Sequence, residues 1–241
     1  MAVTTVAQFA AATAHQDPAF PPGTATSYCS MGFALLQSVV ELTAEQPLPQ
    51  LLQQQLFTPL DMQNSWLGLP ADRAHALLQD SLPCELPPSQ SPDTDWHWNS
   101  LYWRTLGAPW GGMTSTASDL GKLLGCLASA GQLPCGQQLL PPRTVAASLA
   151  NQTSQMAGLP VVDREYRPWG LGWRLQWASH ANTFGDLVSP RTYGHWGATG
   201  TMLWIDPDHE SFALILSTQP LEPNGAPFQR LSNAIVAAFE K

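Results

Sequence analysis

The residues best placed to do chemistry lie in the run YGHWGATGT at positions 193–201. His195 can donate a hydrogen bond or carry a positive charge, and either property would hold a carbonyl or carboxylate group of a ligand. Gly197 follows two positions later, and a glycine lets a ligand backbone approach the main chain closely. An apolar run ending in IDP at 205–207 comes next, which predicts a strand that enters a turn. The alternative interpretation of His195 is a satisfied core histidine.

Two more groups of residues lie upstream. Tyr28 and Ser30 follow the tripeptide PGT at 22–24 and precede a segment with the apolar spacing of a helix. The run GGMTST at 111–116 leads into a second predicted helix, which contains Asp119. A tyrosine near a cation can move a proton, so Tyr28 is a candidate catalytic residue. Taken alone, it would instead be interpreted as a core aromatic residue at the start of a helix.

In this order and spacing, the three groups resemble the motifs of the serine β-lactamase and penicillin-binding-protein family, in its branch of class C β-lactamases, DD-peptidases and esterases. The resemblance implies that Tyr28 belongs to the Tyr-x-Asn motif and helps to move the proton of the nucleophile. Ser30 then stands in the position of the asparagine and would contact the substrate with a shorter side chain that offers one donor.

The same resemblance aligns residues 195–197 with the family's Lys-Thr-Gly motif in its His-x-Gly form. It implies that His195 and Gly197 line the substrate site. Trp196 replaces a small threonine and would narrow that site. The main-chain N–H of Ala198 would be one donor of an oxyanion hole.

The family's first motif, Ser-x-x-Lys, which carries the nucleophile, is absent from the sequence. The two lysines are Lys122 and Lys241, and the residues three positions before them are Asp119 and Ala238. The resemblance places the motif farther upstream of Tyr28 than the preceding residues allow. We therefore expect the chain to be the C-terminal portion of a family member, incomplete at its N-terminus.

The resemblance predicts a serine hydrolase that cleaves an amide or ester bond through an acyl-enzyme, here without its nucleophile motif. The expected partner is a small-molecule or peptide substrate with such a bond. Ser30 and His195 favour an esterase or a peptidase over an efficient β-lactamase. The alternatives are a non-catalytic pseudoenzyme or ligand-binding module, and a truncated gene product.

Composition excludes several other classes. The net charge of −8 and the pI near 5.0 argue against nucleic acid and anionic membrane surfaces as partners. No apolar run approaches the roughly 20 residues that a membrane span needs. No lysine or arginine precedes Arg73, so no signal peptide is predicted in these residues. Because family members are often periplasmic or secreted, the compartment stays open.

Neither a metal nor a cofactor is expected. The histidines form no His-Glu-x-x-His motif, the four cysteines lack metal-binding spacing, and no nucleotide-binding glycine loop is present. A cluster of tryptophans could form a wall for a hydrophobic or sugar-like ligand, or could pack a lid loop. Its members are Trp96, Trp98, Trp103 and Trp110.

Periodicity and breaker residues predict an α+β fold, an antiparallel sheet flanked by helices plus a mainly helical region. We expect one domain over 1–241, with helices and loops in 29–168, and strands plus a final helix in 169–241. Segment 63–109 is predicted to be irregular. Predicted helices span about 6–13, 31–42, 49–57, 116–130, 141–150 and 228–239, and predicted strands span about 169–177, 192–197, 200–206 and 211–217.

The last predicted strand, 211–217, is apolar on both faces. The resemblance implies a five-stranded sheet in which two strands come from the N-terminal segment, one of them beside this strand. A bare apolar edge is prone to pairing with other chains. We therefore expect the isolated chain to be poorly soluble, marginally folded or an oligomer through this sheet edge.

Overall fold

The structure is a computed structural model that describes residues 4–177, 184–221 and 227–239. The chain divides into two compact units, and each is described by itself. Unit 1 comprises Met1–Ala19, Ser27–Leu120 and Thr218–Pro220, and unit 2 comprises Phe20–Thr26, Gly121–Ser217 and Leu221–Lys241.

Unit 1 is mainly helical. Helix α1 (Val6–Ala14) begins at a capping box in which Thr5 and Gln8 bond each other's main-chain N–H groups. Helix α2 (Ser30–Ala44) packs against α1, with Ala34 buried in the shared core. Helix α3 (Leu48–Leu52) continues into a π-helical turn at Gln53–Phe57. These three helices confirm the predictions made for the same segments.

Segment 63–109 is more regular than predicted. It contains the short strand β1 (Trp66–Leu67), helix α4 (Ala74–Gln79) and helix α5 (Leu101–Leu106). Strand β1 pairs antiparallel with β2 (Met113–Thr114). The two helices have six residues each, which is too short for apolar periodicity to reveal.

Helix α6 (Ala117–Ala128) runs from unit 1 into unit 2. The main-chain N–H of Asp119 donates to the hydroxyl of Thr116 at 3.2 Å, a bond that satisfies one of the free N–H groups at the start of the helix. In unit 2, α7 (Pro142–Leu149) and α8 (Phe228–Phe239) lie close to their predicted bounds.

Unit 2 contains a four-stranded antiparallel sheet in the order β3-β4-β5-β6. The prediction of a strand over 169–177 is wrong for most of its length. Gly172 adopts a φ of +79°, and the N–H of Gly170 donates to the carbonyl of Trp173, so a turn occupies the first half. The other three strands confirm the predicted hairpins. The strands are β3 (Arg174–Leu175), β4 (Tyr193–Gly197), β5 (Thr201–Asp206) and β6 (Ser211–Leu216).

Both faces of this sheet are covered by apolar side chains. On one face, Tyr193 and Ile205 pack with Leu124 of α6. On the other face, Trp204 packs with Phe228 of α8. Successive residues of β5, Trp204 and Ile205, therefore point to different cores, as the period of a strand requires. None of the helices in the described part of the chain is long and apolar enough to cross a membrane.

Candidate functional site

The backbone of strand β4 lies close to the backbone of β5, and this close approach depends on Gly194. Gly194 lies opposite Trp204 in the register. A Cβ atom at Gly194 would collide with the carbonyl oxygen of Leu203 and would lie 2.8 Å from the Cα of Trp204. Position 194 therefore requires glycine. The close pairing that this glycine allows fixes the position of the neighbouring residue, His195, on β4.

His195 is partly buried on β4. Its Nδ1 lies 2.7 Å from the carbonyl oxygen of Trp196. Burial lowers the pKa of the imidazole, the Trp196 carbonyl opposes that shift, and the positive charge of Arg174 lowers the pKa further. The net result is a pKa below the ordinary value for histidine, so the ring is neutral at neutral pH. His195 is thus not fully enclosed, and its surroundings favour the neutral form of the ring.

Trp196 is part of an aromatic enclosure around Arg174. The guanidinium carbon lies 3.9 Å from the ring centroid of Trp196, 4.4 Å from that of Trp169 and 4.7 Å from that of Trp177. All three distances are well within the range of cation–π attraction. Trp196 therefore helps to hold the guanidinium of Arg174 in place, in addition to any contact with a ligand.

The residues that follow Trp196 form the turn between β4 and β5. Gly197 accepts a hydrogen bond from Gly200 at 3.1 Å through its carbonyl oxygen. A Cβ atom at Gly197 would lie 2.7 Å from the Oγ1 of Thr201, a side chain that can rotate away. Ala198 is exposed, and its carbonyl oxygen accepts from the N–H of Leu221 at 2.9 Å.

The upstream candidates belong to unit 1. Tyr28 is 59% exposed, so its interpretation as a core aromatic residue is wrong. Ser30 is the first residue of α2 and is partly buried, and Cys29 occupies the N-cap without a side-chain capping bond. Unit 1 thus holds Tyr28 and Ser30, whereas unit 2 brings His195 to Ala198 together on one strand end.

The tryptophan cluster of unit 1 is largely used for internal packing. Trp103 makes edge-on contacts with Trp96 and Trp110, at centroid distances of 5.3 and 6.4 Å. Phe9 of α1 contacts both of these outer rings at 5.6 Å. The main-chain N–H of Trp98 donates to the side chain of Gln90. These contacts favour the packing interpretation over a ligand wall.

Arg174 belongs to none of the sequence motifs described above, although the sequence carries a signal for it. It is a single cation inside an indole-rich segment, since Trp169, Trp173 and Trp177 recur at intervals of four. An arginine in such a setting favours stacking on aromatic faces.

Over the described ranges, no group of three or more histidine, cysteine or acidic residues could hold a metal ion.

Comparison with known proteins shows the family. The profile of the Beta-lactamase family matches residues 2–238. The chain therefore belongs to the Beta-lactamase family, and its helices and antiparallel sheet form a β-lactamase/transpeptidase-like fold.

Individual relatives are distant. The chain is 26% identical over 228 residues to a protein of Escherichia coli O157:H7 described as "Putative D-alanyl-D-alanine carboxypeptidase", a match that covers 86% of this chain and 48% of that protein. A penicillin-binding protein homologue from Caulobacter crescentus superposes with a TM-score of 0.71 at 21% identity, covering 98% of this chain and 64% of that one. A family VIII carboxylesterase superposes with a TM-score of 0.70 at 20% identity, covering 96% and 63%. The chain thus spans about half the length of the curated relatives it matches.

Proposed function

We propose that this chain forms the substrate-binding and proton-transfer part of a serine hydrolase that cleaves an amide or ester bond through an acyl-enzyme. In this proposal Tyr28 assists proton transfer and His195 acts on the substrate. Ser30, Trp196, Gly197 and the main-chain N–H of Ala198 contact the substrate. The serine nucleophile comes from residues outside this sequence, because the sequence contains no Ser-x-x-Lys.

The observation that carries the proposal is the geometry of the β4 end within a β-lactamase-like fold. The His-x-Gly residues lie at the end of a strand, and the exposed Ala198 follows directly. A main-chain N–H at such a strand end can stabilise negative charge on a substrate oxygen. The exposure of Tyr28 supports the same proposal, since a proton-transfer residue must reach the reacting groups.

A second candidate is a non-catalytic ligand-binding module. The absence of a Ser-x-x-Lys motif from the 241 residues favours it, because acyl-enzyme chemistry requires a nucleophile. In that case the β4 end would bind amide- or ester-like ligands without cleaving them.

Two measurements distinguish the two candidates. The first is the sequence of the reading frame upstream of the Met1 codon, and the second is the hydrolytic activity of the extended protein that this frame encodes. If the frame encodes Ser-x-x-Lys, the extended protein is expected to hydrolyse p-nitrophenyl esters or D-alanyl-D-alanine peptides. His195→Ala and Tyr28→Phe are each expected to lower kcat/KM by about 100-fold or more. A stop codon without the motif, or an extended product whose activity survives both substitutions, contradicts the hydrolase proposal.

A further inference from the structure

The sheet face that packs against α8 leaves a space unfilled beside the turn between β5 and β6. A cavity of about 240 Å³ lies there, and all of its lining residues belong to unit 2. A volume of about 150 Å³ is enough to hold benzene, so this cavity has room for an aromatic ring with a short substituent. We call it the α8 cavity. Its walls include Trp204, Asp206, His209, Ser211, Val236 and Phe239.

Small side chains on β6 and the end of α8 leave this space open. Residues that pair across two strands point to the same face of the sheet. Trp204 pairs with Ala213, and neither this alanine nor the next paired residue on that face, Ser211, is large enough to fill the space beside the indole. Phe239, in the last turn of α8, is 79% exposed, so it does not close the cavity either. A ligand can therefore enter from solvent.

The indole of Trp204 brings a hydrogen-bond donor to the wall of the cavity. Trp204 is 2% exposed, and none of the residues that the structure describes accepts a hydrogen bond from its Nε1. A buried donor has lost its hydration, so a bound group that accepts a hydrogen bond from it is favoured. An apolar wall with one such donor is typical of a site that binds a mostly apolar molecule and fixes its orientation through one polar contact.

The carboxylate of Asp206 determines which acceptors the cavity tolerates. Asp206 is 1% exposed. Its oxygens accept from the main-chain N–H groups of Ser189 at 2.7 Å and Asp208 at 3.2 Å, and lie 2.8 Å from the Nδ1 of His209. These donors stabilise the ionised form of the carboxyl group. A ligand carboxylate would add a second negative charge to the same space and be repelled, so the cavity favours a neutral acceptor.

We propose that the α8 cavity is a ligand site for a compact, neutral and mostly apolar molecule with one hydrogen-bond acceptor, and that Trp204 recognises this acceptor through its Nε1–H. The ligand class is that of ketones, esters and ethers about the size of a substituted aromatic ring. This inference goes beyond the function proposed above and does not depend on it, because none of the residues that line the cavity is among those assigned to that function.

The first test titrates the full chain, labelled with nitrogen-15 in its tryptophans, with three ligands built on one aromatic ring. The titration is done at about pH 8, where a histidine of ordinary pKa is neutral. Acetophenone, a neutral ketone, is expected to shift the Nε1–H resonance of Trp204. Ethylbenzene has a similar shape but no acceptor, and is expected to bind about fivefold to tenfold more weakly. Benzoate, which carries a negative charge, is also expected to bind more weakly than acetophenone.

The contrary results of this titration are distinct. If neither neutral ligand shifts the Trp204 resonance, or if the shifts are confined to residues of β4 such as Trp196, the inference is overturned and the proposed function is unaffected. Equal binding of ethylbenzene and acetophenone overturns the role given to the Nε1–H. Tighter binding of benzoate than of acetophenone overturns the neutral ligand class.

The second test removes the donor and keeps an aromatic ring. Trp204→Phe identifies the Nε1–H resonance by its loss, and binding to this variant is followed through the methyl resonances of Val236. The variant is expected to bind acetophenone and ethylbenzene about equally, because neither can then receive a hydrogen bond from residue 204. A preference for acetophenone that survives in Trp204→Phe overturns the proposal.

If this core variant does not fold, the cavity is filled from α8 instead. Val236→Phe places a ring in the cavity and is expected to weaken acetophenone binding about tenfold or more. Leu231→Phe adds the same ring at a position of α8 that is 42% exposed and does not line the cavity, and is expected to leave binding unchanged. Unchanged binding in Val236→Phe, or equal weakening in both variants, overturns the proposal.

Discussion

The two glycines of β4, Gly194 and Gly197, differ in the atoms that an added side chain would contact. A Cβ atom at Gly194 would collide with the backbone of β5, at Leu203 and Trp204, whereas one at Gly197 would meet only side-chain hydroxyls, that of Thr201 at 2.7 Å and that of Thr199 at 3.8 Å. Backbone atoms of a paired strand cannot move without breaking the ladder. Close packing of the two strands, more than backbone conformation, therefore explains why position 194 is a glycine.

Substitution by alanine separates these two cases. Gly194→Ala is expected to lower the free energy of unfolding by about 2 kcal/mol or more, because two paired strands must separate locally. Gly197→Ala, the matched control in the same strand, is expected to cost less than about 1 kcal/mol. Urea denaturation of both variants measures the difference. Equal losses, or a larger loss for Gly197→Ala, would contradict the packing account.

At the scale of elements, the β5–β6 hairpin is stabilised by a buried carboxylate. Asp206 is 1% exposed and accepts the main-chain N–H of Ser189 at 2.7 Å, while the Nδ1 of His209 lies 2.8 Å from it. Burial alone would raise the pKa of this carboxyl group. Hydrogen bonds from the side chain and main chain of Ser189 and from His209 outweigh burial, so the pKa lies below its ordinary value.

The sign of that shift gives a pH dependence. Because the folded chain holds the Asp206 proton more weakly than the unfolded chain does, its carboxylate stabilises the fold above about pH 4 and loses this effect as pH falls further. Asp206→Asn is expected to cost about 1–3 kcal/mol at neutral pH. The gap to wild type is expected to narrow below about pH 4.

The control for this prediction is Asp208→Asn in the same turn. Asp208 pairs with Arg191 at 2.7 Å, but both side chains are substantially exposed, so the pair contributes at most about 1 kcal/mol. Thermal unfolding of both variants at several pH values provides the comparison. A stability gap for Asp206→Asn that does not change between neutral and acidic pH would show that the buried charge has no such role.

The elements that could be predicted from the sequence are those with a strong local pattern. Apolar runs bounded by turn residues marked β4, β5 and β6, and apolar spacing marked α2 and α8. The strand predicted over 169–177 failed because a glycine turn interrupts an otherwise apolar segment. The enclosure of Arg174 could not be predicted from the sequence. It depends on Trp196, which is 22 residues away in the chain and contacts Arg174 only because β3 and β4 pair.

At the scale of the whole molecule, the sheet presents an apolar edge. In the described part of the chain, β6 pairs with β5 and stands last in the sheet order. Phe212 and Leu216 of this strand are 41% and 48% exposed. An edge with unpaired backbone groups and apolar side chains promotes pairing between chains. The predicted tendency to self-associate therefore stays a prediction, with β6 as the surface responsible.

A charge on that edge tests the prediction. Leu216→Lys is expected to reduce self-association of the isolated chain, measured by sedimentation velocity at equal concentration. Leu42→Lys adds the same charge to an exposed leucine of α2 in unit 1 (80% exposed), and is expected to leave association unchanged. A wild-type chain that is already a soluble, cooperatively folding monomer would contradict the prediction, as would equal effects of the two substitutions.

We propose above that this chain carries the binding side of an acyl-transfer site whose nucleophile lies outside the 241 residues. Intact-protein mass spectrometry after exposure to a fluorophosphonate and to a penicillin tests it most directly. We expect no covalent adduct on the 241-residue chain, and an adduct on the serine of Ser-x-x-Lys in the product extended upstream in frame. A stoichiometric adduct on a serine within the 241 residues, or an extended product with the motif that neither reagent labels, would contradict it.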